Sequence, residues 1–255
     1  MPAPKLKALI FDVDGTLSDT ERDGHRVAFN QAFADAELDW SWDVETYGRL
    51  LKVTGGKERI RYFIKDFMQY INVFSDLDGF IRQLHQSKTR HYVELLKSGA
   101  IPLRPGITRL LNEARSAGLR LAIATTTTPE NVTTLLSATL GPESITWFDV
   151  IAAGDIVARK KPAPDVFQYA LNAMHLSAAE CIAFEDSENG LRSSMQAGLK
   201  TIVTVNGYTR NDDFDGAVIV LDQLGEPESP FTLIKGNAGA ATYVDMPLIT
   251  RLFKA

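Results

Sequence analysis

The sequence predicts an α/β protein: a Rossmann-like parallel sheet core with an inserted helical domain. Three observations carry that expectation. Five short apolar segments each end in polar or small residues. Helical patterns separate the later segments, which is the alternation of parallel crossovers. A block over residues 20–98 has no strand pattern and lies between the first two segments.

The elements follow in order. "LKALIFDVD" (6–14) is a continuous apolar run, as expected of a strand covered on both faces. The block after it holds two amphipathic helix candidates, "RDGHRVAFNQAFADA" and "FIRQLHQSKTRHYVELLKSG". A parallel crossover does not need so many residues, so the block reads as an insertion. "PLRPG" (102–106) marks the return to the core. Strands are then expected in "LRLAIATTT" (119–127), "FDVIAAGD" (148–155), "CIAFED" (181–186) and "KTIVTVNG" (200–207). Helices are expected in "PGITRLLNEARSAG" (105–118), "PENVTTLLSATLG" (129–141), "PDVFQYALNAMH" (164–175) and "SENGLRSSMQAG" (187–198). Proline near the start and glycine at the end punctuate several of them. The expected organisation is a core of residues 1–19 and 99–225 and a helical domain of 20–98, with the tail 226–255 packed on the core. The last stretch of that tail reads as a helix.

With 255 residues, 45% hydrophobic and 23% charged, the composition is that of a globular chain. A net charge of −5 argues against nucleic acid or a lipid surface as a main partner. One cysteine, Cys181, excludes an intrachain disulfide and reads as a buried, inert thiol. With no leader-like start and no apolar run of spanning length, the expected location is cytoplasmic. No coiled-coil pattern demands a dimer, so a monomer is expected.

Ligands of open parallel sheets bind at the carboxyl ends of strands. Asp12 and Asp14 follow the first segment, Thr125 closes the second, Lys160 and Lys161 follow the third, and Glu185 and Asp186 end the fourth. Asp12, Asp14 and Asp186 are hard oxygen donors of the kind Mg²⁺ prefers. With such a cation present, one carboxylate can attack a phosphate as nucleophile. The other can protonate the leaving alkoxide and later deprotonate water. Thr125 can hold a phosphoryl oxygen and a lysine can neutralise developing charge. Gly15 lets the backbone turn sharply.

Taken together, "DVDGT", "LAIATTT", "KKPAPD" and "FEDSENG" resemble the four ordered motifs of the haloacid dehalogenase superfamily. That resemblance implies Asp12 as nucleophile, Asp14 as general acid and base, Thr125 as phosphoryl-binding hydroxyl, and Lys161, the lysine directly before proline, as the catalytic lysine. It implies Mg²⁺ held by the Asp12 carboxylate, the Asp14 carbonyl and Asp186, with Glu185 one step out. The second aspartate favours phosphoryl transfer over carbon–halogen cleavage. The inserted block then resembles the family's cap, and "DVDGT…E…HR.AFN", "Y…TGGKER" and "AIATTT" are similar to its CbbY-like subgroup. "SDTERDGHR" carries one residue more than the subgroup pattern before His25.

Members of that subgroup are similar to xylulose-1,5-bisphosphate phosphatases, which remove an inhibitory by-product of Rubisco. A bisphosphate needs two anion sites. "TGGKERIRYF" (54–63) offers Gly55, Gly56, Lys57 and Arg59, and a nearby helix offers His85 and Lys88. Thr126 and Thr127 lie beside Thr125, and Glu21 and Tyr47 are expected on sugar hydroxyls. Lys160 is read as solvated, His25, His91 and His175 as structural or exposed, and Trp40 and Trp42 as core. Two rival functions stand beside the phosphatase: a β-phosphoglucomutase-like isomerase on the same core, and a non-enzymatic phosphosugar-binding regulator.

Overall fold

A computed structural model of the chain describes residues 4–67 and 76–254; residues 1–3, 68–75 and Ala255 lie outside that description. Among the described residues, seven strands form one sheet in the order β3-β2-β1-β4-β5-β6-β7. They are β1 (Ala8–Phe11), β2 (Arg120–Ala124), β3 (Phe148–Ala152), β4 (Cys181–Glu185), β5 (Lys200–Thr204), β6 (Ile219–Leu221) and β7 (Leu233–Gly236). All pairings are parallel except β6 with β7. β6 and β7 are additions to the five expected strands. β6 is three residues long, and every residue of β7 is exposed, so neither shows a buried apolar run.

The central strand explains its own sequence. Leu9 and Phe11 join one core cluster and Ala8 and Ile10 the other, on the opposite face. The first face is covered by α5 (Ile107–Ser116), α6 (Pro129–Leu140) and α9 (Met246–Lys254), the second by α7 (Asp165–Met174). α8 (Glu188–Gln196) packs on β4 and β5. α9 gives Leu248, Ile249, Leu252 and Phe253 to the larger cluster.

From β1 the chain runs outward through β2 to β3, then returns to lay β4, β5 and β6 on the other side. The order reverses between β1 and β4, and a crevice forms there beyond the strand ends.

The described part of 21–97 contains helices and no strand: α1 (Arg26–Asp35), α2 (Val44–Leu50), α3 (Gly56–Phe67) and α4 (Leu77–Lys97). Asp43 and Asp76 cap α2 and α4, accepting from the amides of Thr46 at 2.7 Å and Gly79 at 2.8 Å. These helices bury their own cluster, with Phe29, Phe33, Trp42 and Ile60 among its members. The far end of α4 enters the main core through Tyr92 and Leu96. The two connections between the helices and the sheet run side by side. There the Arg104 amide donates to the Leu17 carbonyl at 2.9 Å, and the Ser18 hydroxyl donates to the Pro102 carbonyl. Among the described residues, no helix is long and apolar enough to cross a membrane.

Candidate active site

β2, β1 and β4 are neighbours in register, so their ends deliver Thr125, Asp12, Glu185 and Asp186 to one rim. The Asp12 amide donates to the Phe184 carbonyl at 3.0 Å, which fixes the backbone of that residue against β4. Lys161 reaches in from the loop after β3. Its Nζ donates to Asp12 Oδ1 at 2.6 Å, to Glu185 Oε1 at 2.6 Å and to the Ala124 carbonyl at 2.9 Å. Burial opposes its charge, but Asp12 and Glu185 outweigh that, so Lys161 stays an ammonium ion.

Asp12, Glu185 and Asp186 are all buried and place ligand atoms within 4.8 Å of one another. Three carboxylates thus face one ammonium. Burial raises the carboxyls of Asp12 and Asp186, and it pushes Glu185 up to about 8 against the pull of Lys161. Glu185 Oε2 is buried with no hydrogen-bond partner. Buried carboxyl groups that hold their protons for want of positive charge, an oxygen without a partner and an all-oxygen donor set fit a hard divalent cation. Glu185, expected one step out from the ion, shares this cluster with Asp12 and Asp186.

Gly15 is needed beside this cluster. Its φ is +85°, and a Cβ there would lie 2.1 Å from Asp186 Oδ2. Asn206, at the end of β5, donates to the same Asp186 oxygen at 2.6 Å.

Asp14 turns away from the cluster toward the inserted helices. Its Oδ1 accepts from the Thr20 hydroxyl at 2.6 Å and lies 2.8 Å from His25 Nε2. His25 Nδ1 in turn lies 2.6 Å from Lys88 Nζ. An ammonium offers only donors, so with Lys88 charged Nδ1 accepts and Nε2–H points at Asp14. Burial alone would raise the Asp14 carboxyl; His25, Thr20 and Lys88 together hold it at about 2. His25, expected to be structural or exposed, is buried and belongs to the site. A π-helical turn over Glu21–His25 brings it there, with the His25 amide donating to the Thr20 carbonyl at 2.8 Å. Such a turn holds one residue more than an α-helical turn.

Two adjoining cavities of about 490 and 410 Å³ open here. Asp12, Thr125, Lys161 and Asp186 line the smaller; Lys57, His85, Lys88, Thr127 and Lys160 line the larger. Asp14, Glu21, Gly55, Arg59 and Thr126 line both. Tyr47 lines neither. It is fully buried, donates to Glu21 and accepts from Arg59 Nη1 at 2.8 Å, so it orients those two side chains.

Within 54–63, α3 starts at Gly56, so Lys57 and Arg59 sit in a helical first turn. Arg59 is buried, 3.9 Å from Glu21. Lys57 pairs with Asp155 of the sheet domain. Lys160 reaches the same Asp155 at 2.9 Å and lines the larger cavity rather than standing free in solvent. Gly56 lets the His85 ring lie against the backbone, where a Cβ would meet Nε2 at 2.5 Å. Burial, reinforced by Lys88 and Lys57, holds His85 near 3, so it is a neutral imidazole. Burial brings Lys88 down to about 8. Asn206 carried a legible signal, since it follows a parallel strand; His25 carried none in its spacing.

The family model "Hydrolase: haloacid dehalogenase-like hydrolase" matches residues 6–198. The chain belongs to the haloacid dehalogenase-like hydrolase family. Within it, the CbbY proteins are similar over most of their length. The plasmid CbbY of Cupriavidus necator is 49% identical over 229 residues, covering 88% of each chain. The crystal structure of Rhodobacter sphaeroides CbbY in complex with phosphate has a TM-score of 0.80 at 46% identity, over 86% of this chain and 94% of that one. A variant of that protein in complex with xylulose (1,5)bisphosphate gives the same figures, a TM-score of 0.80 at 46% identity. A β-phosphoglucomutase of Bacillus subtilis is 26% identical over 223 residues. As a haloacid dehalogenase-like hydrolase with such relatives, the chain is an enzyme, a phosphatase.

Proposed function

We propose that this enzyme is a Mg²⁺-dependent phosphatase of phosphorylated sugars, with xylulose 1,5-bisphosphate as its substrate. The observation that carries the reading is the pair of adjoining cavities. One holds the acidic cluster and Lys161, and the other is lined by Lys57, His85, Lys88 and Lys160. A substrate with an anionic group at each end matches that division. The similarity to a protein crystallised with xylulose (1,5)bisphosphate supports the same choice.

Asp12, Glu185 and Asp186, with the Asp14 carbonyl, would hold the ion. When bound, it supplies charge neutralisation between the carboxylates and the phosphate. The Asp12 carboxylate then attacks phosphorus, and the bond from phosphorus to the sugar oxygen breaks. Lys161 stabilises the added negative charge. Thr125 donates to a phosphoryl oxygen.

As Asp14 stands, ionised beside His25, it is a base. A phosphate dianion arriving next to it favours its protonated form, and that proton goes to the leaving alkoxide. In the second half Asp14 takes a proton from water, the water oxygen attacks phosphorus, and Asp12 leaves as carboxylate. Residues 20–98 act as a cap that closes on the core of 1–19 and 99–225 and excludes water from the first step.

The test is a panel of sugar mono- and bisphosphates with and without Mg²⁺, reading free phosphate. The expected result is Mg²⁺-dependent release of one phosphate, with the highest kcat/KM on the bisphosphate. Return of the phosphoryl group to another position of the sugar would make it a mutase. Binding without release would make it a regulator.

A further inference from the structure

Asp186 is flanked by the loop after β5 and by the start of α8, and each also touches the inserted helices. The loop after β5 carries Asn206, whose Nδ2 holds Asp186 Oδ2 at 2.6 Å. The other end of Asn206 shapes the loop: its Oδ1 accepts from the amides of Tyr208 at 2.8 Å and Thr209 at 3.3 Å. Tyr208 leaves the core and packs on the hydrophobic cluster of the inserted helices. Its ring meets Tyr47 edge-on at 6.0 Å between centroids, and a Cβ on Gly48 would lie 3.0 Å from it.

The start of α8, directly after Asp186, also meets the inserted helices. Asn189 Nδ2 donates to Thr54 Oγ1 at 3.2 Å and to the Lys52 carbonyl at 3.3 Å. The Asp186 carboxylate is thus held by Asn206, whose loop sets Tyr208 on the inserted helices, and Asp186 is followed three residues on by Asn189, which bonds those helices directly. Interior packing transmits such displacements poorly damped, because it is dense.

We propose that Tyr208 and Asn189 are positioning residues that couple the seating of the cap to the Asp186 carboxylate, so that cap contact and cation affinity rise together. The proposal rests on the metal reading above. Both line the smaller cavity, and the role assigned to them is to position rather than to react. Asn189 acts through the start of α8, and Tyr208 acts through the Asn206 loop. Coupling between sites is reciprocal, so a cation at Asp186 must in turn favour the seated cap.

The experiment titrates Mg²⁺ alone, calorimetrically, into metal-free wild type, Asp186→Asn, Asn189→Ala and Tyr208→Leu. Asp186→Asn loses binding. Asn189→Ala and Tyr208→Leu each weaken it by about fivefold, the low end of ordinary coupling. Amide hydrogen exchange over residues 48–54 gives the reciprocal readout: Mg²⁺ slows it in wild type and much less in the two variants. Asn189→Ala removes only a polar contact at a half-exposed position, so its folding is not at issue. Wild-type affinity in both variants, with binding lost in Asp186→Asn, overturns the coupling while sparing the metal site. Wild-type affinity in Asp186→Asn overturns the metal reading and the coupling with it.

Discussion

Lys161 Nζ lies 2.6 Å from Asp12 Oδ1, across 149 residues of sequence. The same ammonium lies 2.6 Å from Glu185 Oε1. A single ammonium therefore contacts two of the three buried carboxyl groups of the rim but can offset the charge of only one. The imbalance that remains is the physical reason to expect a divalent ion there.

Lys161→Met leaves Asp12 and Glu185 buried without their partner. The expected loss is about 10²–10³ in kcat, the cost of removing one aimed donor from a developing oxyanion. Lys161→Arg does not restore the rate, because a planar guanidinium cannot replace a compact ammonium at three acceptors. Steady-state kinetics checks both; a methionine variant within tenfold of wild type would remove Lys161 from the mechanism.

Stability should depend on pH in a way that the metal abolishes. Burial pushes Glu185 from an ordinary 4.5 up to about 8. Between those values the unfolded chain has lost a proton that the folded chain keeps, so stability falls as pH rises. His85, held near 3 rather than 6.5, acts in the opposite direction below about 6.5. The window in which Glu185 dominates is therefore pH 6.5–8. Urea melts with chelator should show a falling midpoint across that window, and saturating Mg²⁺ should flatten it. A midpoint that rises there without metal would contradict the charge balance described.

Gly15→Ala places a methyl 2.1 Å from Asp186 Oδ2 and 2.7 Å from Asn206 Nδ2, at a φ of +85°. The backbone strain costs about 1–2 kcal/mol, and Asp186 has to move. Mg²⁺ affinity and turnover are expected to fall together, by at least about tenfold, which corresponds to roughly 1.4 kcal/mol. Metal titration is the check, and an unchanged affinity is the contrary result.

His25→Gln removes the strongest influence that holds the Asp14 carboxyl down near 2 against its burial. That carboxyl then rises, and because Asp14 must be protonated to release the alkoxide in the first half-reaction, the basic limb of the kcat/KM profile moves to higher pH. A limb that stays in place would show that Asp14 does not set it.

Much of this was legible in the sequence. Strands β1 to β5 announce themselves because burial on both faces leaves an uninterrupted apolar run. β6 and β7 do not, being short or exposed. Asp12, Asp14, Thr125, Lys161 and Asp186 are legible because each directly follows a parallel strand or lies in the loop after one. Asn206 obeys the same rule but looks like an ordinary turn residue in "VNG". His25 depends on a π-helical turn that no periodicity reports. The fate of Lys57 depends on Asp155, 98 residues away, and such a pairing leaves no mark on local spacing.

The decisive measurement is a single turnover of radiolabelled sugar phosphate, quenched in acid within milliseconds, with the labelled peptide identified by mass. The mechanism requires transient label on Asp12 in wild type, and neither label nor turnover in Asp12→Asn. Turnover by Asp12→Asn near the wild-type rate, or label on another residue, would contradict it.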